Sequence, residues 1–178
     1  NGLTLVDSHF ANISGIEKLD MSYGVTGGDS ITLGTAAAAA GLTTVTLGGT
    51  GGDQVILTSA LTLTVEGGTG ADTVTLNTAG ATLTIKNVET ITANGSAADT
   101  VIVANTAAGS VTVDMGTGSD TLTISSGTFG QTIVASNIET INGGSGADVI
   151  TVSAGVATVT GGAGSDVLTG GTGADSLS

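Results

Sequence analysis

Aspartates set in glycine-rich turns are the residues of this chain best suited to chemistry. Five complete copies of one six-residue turn end in Asp53, Asp72, Asp148, Asp166 and Asp175; the first reads Gly48-Gly49-Thr50-Gly51-Gly52-Asp53. Glycine lets a backbone curl until successive carbonyls converge, and the aspartate adds a hard, anionic oxygen. Oxygens of this kind, stacked turn upon turn, make a calcium site. Magnesium fits less well, because it demands octahedral geometry and retains its water. Three further aspartates sit in incomplete copies. Met115 replaces the first glycine before Asp120. The turn Asn94-Gly95-Ser96-Ala97-Ala98 before Asp99 lacks the fourth-position glycine, and Gly24-Val25-Thr26-Gly27-Gly28 before Asp29 lacks the second. The plainer reading of any such turn is an aspartate that only bonds nearby backbone.

The repeat GGxGxD followed by an apolar residue two positions on resembles the nonapeptide of the RTX (repeats-in-toxin) family of secreted bacterial proteins. The resemblance runs from about Gly24 to Ser178. It implies calcium ions held between successive turns by the aspartates and by turn carbonyls. Carried over position by position, the side-chain ligands are Asp53, Asp72, Asp120, Asp148, Asp166 and Asp175, then Asp29 and Asp99. The carbonyl donors are Gly48, Thr50, Gly67, Thr69, Gly143, Ser145, Gly161, Ala163, Gly170 and Thr172. It further implies type I secretion, with export of an unfolded chain and folding outside the cell.

Short strands must position these turns. Stretches such as Leu61-Thr62-Leu63-Thr64-Val65 and Thr121-Leu122-Thr123-Ile124 alternate with period two and are rich in β-branched residues. That pattern predicts half-buried strands with Val, Leu and Ile inward and Thr outward. With no helical periodicity between the strands, the expected fold is all-β: a right-handed parallel β-helix or β-roll solenoid, continuous over residues 1–178. Residues 1–23 form a less regular entry coil, 24–160 coils of variable width, and 161–178 tandem nonapeptides. Thr35 to Gly41, with five alanines, predicts a wide turn or one helical turn.

The motif aspartates are separated by 24, 19, 27, 21, 28, 18 and 9 residues. These intervals suggest a super-repeat through Asp53, Asp99 and Asp148, with an extra strand or wider turn in the long ones. The turns Asn77–Gly80, Asn105–Gly109, Ser125–Gly127 and Ser153–Gly155 carry no motif aspartate, so calcium turns are expected mainly along one edge. Asp166 and Asp175, nine apart, are expected on opposite edges. Glu17, Glu89 and Glu139 recur in one context, Asn-Val-Glu-Thr-Ile or close to it. They read as exposed carboxylates bonding the next coil's backbone, or else as extra cation ligands. Asp7, Asp20 and Asp114 read as surface charge.

Composition narrows the function. Fifteen acidic residues against two basic ones give a formal charge of −13. Nucleic-acid backbones need clustered Lys and Arg, and anionic membranes need the same, so both partners are excluded. No stretch has the apolar length of a membrane span. Divalent ions would relieve the self-repulsion of such a charge. Equivalent, repeated carboxylates are unlike the single asymmetric arrangement of an active site, and His9 is the lone histidine, so no enzyme activity is expected. The expected function is structural. The chain reads as a calcium-stabilised segment of an extracellular bacterial surface protein, cut from a longer chain and self-associating into a layer or filament. It would be anchored to cell-surface polysaccharide through regions beyond it. The alternatives are the stalk of an adhesin and the RTX domain of a type I-secreted enzyme.

Overall fold

The structure, a computed structural model, describes residues 2–23, 27–77 and 80–178. The chain passes back and forth between two sheets of nine strands each, every pairing parallel, from Thr4 to Leu177. One sheet stacks Thr4–Leu5, Ser30–Leu33, Gln54–Leu57, Thr73–Leu76, Thr90–Ala93, Gly109–Asp114, Gln131–Ser136, Val149–Ala154 and Val167–Thr169. The other stacks Lys18–Asp20, Thr44–Thr46, Thr62–Glu66, Thr82–Lys86, Thr100–Val103, Thr121–Ile124, Thr140–Asn142, Thr158–Thr160 and Ser176–Leu177. Each strand pairs with the strand two places along the chain, which is the signature of a β-solenoid.

The period-two alternation decides which face is buried. Val65, Leu83, Val101 and Leu122 point between the sheets and are fully enclosed. Threonines face out and stack in register: Thr62, Thr82, Thr100, Thr121, Thr140, Thr158 and Ser176 form one continuous column on the second sheet. β-branched hydroxyl residues suit that surface, because their stiff side chains pack against their neighbours on the pleat. The core is layered Val, Ile, Leu and Ala, with Phe10, Met21 and Met115 as its larger or more flexible fillers.

The Thr35–Ala40 stretch is a six-residue helix closed by Gly41 at φ 95°, where a residue without a Cβ is favoured. Its start is held from the neighbouring coil. The Asp7 carboxylate accepts from the N–H groups of Gly34, Ala36 and Ala37 at 2.7, 3.0 and 2.9 Å. Asp7 is therefore a helix cap rather than surface charge. Partial burial alone would raise its pKa, but the three N–H donors outweigh that and lower it. Asp20 does lie at the surface, paired with Lys18 at 3.0 Å. Asp114 accepts from the Gly116 N–H and the Asn137 side chain.

The spacing of the aspartates has a different cause from the one expected. Among the described residues every coil is two strands, with no extra strand in the long intervals. The intervals of 27 and 28 residues are one and a half coils, because the motif changes edge there. Asp53 and Asp99 thus lie on opposite edges, and the super-repeat does not survive.

Candidate functional site: two edges of buried carboxylates

The turns entering the first sheet form one edge, and the turns entering the second sheet form the other. Asp29, Asp53, Asp72, Asp148 and Asp166 lie on the first edge. Asp99, Asp120 and Asp175 lie on the second. The majority does share an edge, as expected, but it is split into two blocks, and three members lie opposite. Asp166 and Asp175 take opposite edges as their spacing required. The turns at Asn105–Gly109 and Ser125–Gly127, expected opposite the motif, lie on the first edge instead. Gly24–Thr26 of the Asp29 turn and Thr78–Ala79 of the Asn77 turn lie outside the described residues.

Each aspartate reaches back to the preceding coil. On the first edge the Leu3 N–H donates to Asp29 Oδ1 at 2.7 Å, Asp29 N–H to Asp53 at 2.6 Å and Asp53 N–H to Asp72 at 2.8 Å. The Asp148 N–H donates to Asp166 at 2.9 Å. On the second edge Ala81 N–H donates to Asp99 at 2.6 Å, Asp99 N–H to Asp120 at 2.7 Å and Ala157 N–H to Asp175 at 2.9 Å. These bonds serve turn N–H groups that lie outside the strand ladders.

Asp175 uses both oxygens, the second accepting from the Gly171 N–H at 2.8 Å, but in six of the eight only half of the carboxylate is used. Asp29, Asp53, Asp72, Asp99, Asp120 and Asp148 are at most 1% exposed, and in all six the second oxygen, Oδ2, has no hydrogen-bond partner among the described residues. A buried anionic oxygen without a partner is costly, so it must be protonated or meet a cation. Burial raises the pKa of Asp53, Asp72, Asp99, Asp120 and Asp148. For Asp72 the rise reaches about 6, with the charges of Asp53 and Glu89 adding to it. The Gly48 backbone N–H faces the Asp53 carboxylate and tempers its rise without reaching hydrogen-bond geometry.

The glycines explain how carboxylates fit inside such narrow turns. In three turns the first motif glycine faces its own aspartate: a Cβ built on Gly67, Gly161 or Gly170 would lie 2.5, 2.6 or 2.9 Å from Oδ2 of Asp72, Asp166 or Asp175, whereas at Gly48 and Gly143 it would meet Ser22 and Gly161 of the neighbouring coils. The second motif glycine adopts φ 94° at Gly49, 100° at Gly68, 97° at Gly144 and 95° at Gly162, a region that penalises other residues. Gly48, Gly67, Gly143 and Gly161 are buried beside the carboxylates, with Gly170 exposed on the last turn. Thr50, Thr69, Ser145, Ala163 and Thr172 are all exposed on the rim.

Among the described residues no three carboxylate or imidazole side chains converge. An ion would therefore take one or two carboxylate oxygens and complete its shell from turn carbonyls and water, a mixture calcium accepts.

Asp29 and Asp99, with incomplete motifs, are as buried and as bonded as the others. Asp120 likewise matches the rest, with Met115 directed into the core. Two residues that motif reading overlooked continue the first edge where the aspartates lapse. Asn105 accepts from the Asn87 N–H and donates to Gln131 Oε1, both at 2.8 Å, and the Gln131 N–H donates to Asp148 at 2.7 Å. Gly130-Gln131-Thr132-Ile133 aligned on Ala147-Asp148-Val149-Ile150 carried the signal for Gln131. Glu89 and Glu139 bond the preceding coil, Glu139 from an exposed position and Glu89 half-buried. The Glu17 carbonyl accepts from Thr43 and Thr44. His9 Nδ1 accepts from the Val6 N–H at 3.2 Å. No family model, curated protein or solved structure matches this chain.

Proposed function

We propose that this chain is a calcium-stabilised structural segment of an extracellular bacterial protein, of the RTX type, that associates end to end or side by side into a layer or filament. The observation that carries the reading is the set of six enclosed carboxylates inside glycine turns, each with an oxygen that has no partner among the described residues. The RTX resemblance further implies export through a calcium-poor cytosol and ordering outside, a switch that suits extracellular modules, which bind calcium with dissociation constants of roughly 10⁻⁴–10⁻³ M. The assembly part of the proposal rests on the resemblance of the repeat to those of RTX-type surface-layer and adhesin proteins.

Circular dichroism and negative-stain microscopy, each with calcium and with chelator, test the proposal. The expected result is a β spectrum and ordered sheets or fibres in calcium, both lost on chelation. A spectrum unchanged by chelation removes the calcium role. Monodisperse particles in calcium remove the assembly role and leave the stalk of an adhesin.

A further inference from the structure

We infer that Glu89 and Glu139 close two of three separate cation columns, each standing in for the motif aspartate in a turn that has lost the motif. The inference rests on the calcium reading above and assigns to that site two ligands outside GGxGxD. The Asp72 N–H donates to Glu89 Oε2 at 2.8 Å, as the Asp53 N–H does to Asp72 Oδ1 at 2.8 Å. The Asp120 N–H donates to Glu139 Oε2 at 2.7 Å, as the Asp99 N–H does to Asp120 Oδ1 at 2.7 Å. Each glutamate thus occupies the next rung of an aspartate column.

The turns explain the change of residue. Three residues, Asn87–Glu89, separate the strands ending at Lys86 and starting at Thr90, where Gly67–Asp72 uses six. Asn137–Glu139 is equally short. Asn87 and Asn137 reverse the chain with φ 50° and 54°, which asparagine tolerates better than most residues. The extra methylene of glutamate then spans the distance that the shorter turn leaves. Val88 and Ile138, both 1% exposed, fill these turns with hydrocarbon. No glycine cradle lies beyond the glutamate, so each column ends there.

Past each glutamate the edge becomes neutral. On the first edge Asn105 and Gln131 bond each other, and on the second the position belongs to Ala157. Three blocks of two or more carboxylates result: Asp29, Asp53, Asp72 and Glu89; Asp99, Asp120 and Glu139 on the other edge; then Asp148 and Asp166, while Asp175 stands alone beyond Ala157 on the second edge. Asp72 and Asp120, adjoining the two glutamates, each carry an enclosed Oδ2 with no partner among the described residues, and those oxygens are the second mark of a cation at each closure.

Calcium titration of the full chain, followed by the backbone amide signals of Asp72, Asp120 and Asp148, separates the blocks. Glu89→Gln keeps a carbonyl acceptor for the Asp72 N–H and removes only the charge. The expected result is calcium affinity lowered about tenfold at the Asp72 signal, with Asp120 and Asp148 unchanged, since ligand charge sets affinity in such sites. Glu139→Gln supplies the mirror result at Asp120. Affinity unchanged in both variants, or lowered at all three signals together, overturns the inference and leaves the calcium reading standing. Wild-type protein that takes up no calcium overturns both.

Discussion

Replacing Asp72 by asparagine should change stability in opposite directions with and without calcium. The carboxylate is enclosed and its pKa is pushed up to about 6 from 3.8, first by burial and then by Asp53 and Glu89. A folded-state value above the unfolded one means that the folded protein keeps a proton which the unfolded chain has already released. Stability from this group is therefore full below about pH 4 and lost as pH rises to about 6. At 1.36 kcal/mol per pKa unit the loss at pH 7 is at most about 3 kcal/mol, and screening by water at the turn brings it to about 1–2 kcal/mol. Asparagine keeps an oxygen for the Asp53 N–H and cannot ionise. Calcium-stripped Asp72→Asn should then be about 1–2 kcal/mol more stable than wild type at pH 7 and no more stable at pH 3.5. In calcium the order should reverse, because a charged ligand has been removed. Urea unfolding followed by circular dichroism, in the two states of calcium and at the two pH values, reads all the terms. Equal destabilisation by the variant in calcium and in stripped buffer would show that the carboxylate carries no buried-charge penalty. Equal stabilisation in both would show that no cation meets it.

Three further substitutions test the scaffold. Gly52→Ala would place a Cβ 2.6 Å from the Ala71 carbonyl of the next turn, backbone that cannot step aside. A loss of about 1–3 kcal/mol in urea unfolding is expected, as for other overpacked sites. Asp7→Ala removes all three N–H partners at the start of the Thr35–Ala40 helix and should cost about 1–2 kcal/mol, also read from the urea midpoint. Leu83→Ala empties a fully enclosed core position and should cost about 2–5 kcal/mol, with a lower thermal midpoint in calcium.

The strand faces were legible because burial in a two-sheet solenoid follows period two. The inward set that includes Val45, Val65 and Ile85 and the outward threonines beside it appear in the structure as the alternation demands. The exceptions are informative. Ile56 and Ile102 face outward because their strand register leaves them no choice, and Val134, Val149 and Val167 are exposed on the same principle. Alternation fixes the face relative to neighbours on the strand, and hydrophobicity alone does not override it.

Edge assignment was not legible, and the reason is arithmetic. A turn occurs every half coil, so an interval of 27 residues is as consistent with one wide coil as with one and a half ordinary coils. Only the strand pairing separates the two: Thr100 lies against Thr82 and Thr121, which puts Asp99 on the edge opposite Asp72. The same geometry explains why Asp29 and Asp99 match the complete motifs despite their missing glycines. The bond that holds each carboxylate comes from the coil before it, from Leu3 and from Ala81, and owes nothing to the glycines of its own turn. A motif read along the chain scores a turn by its own residues, whereas a solenoid positions a side chain through its neighbours. Gln131 and Glu139 occupy aspartate positions for that reason, one neutral and one charged. The distribution of charge along each edge is therefore a property of the stack, carried by residues that no six-residue pattern would collect.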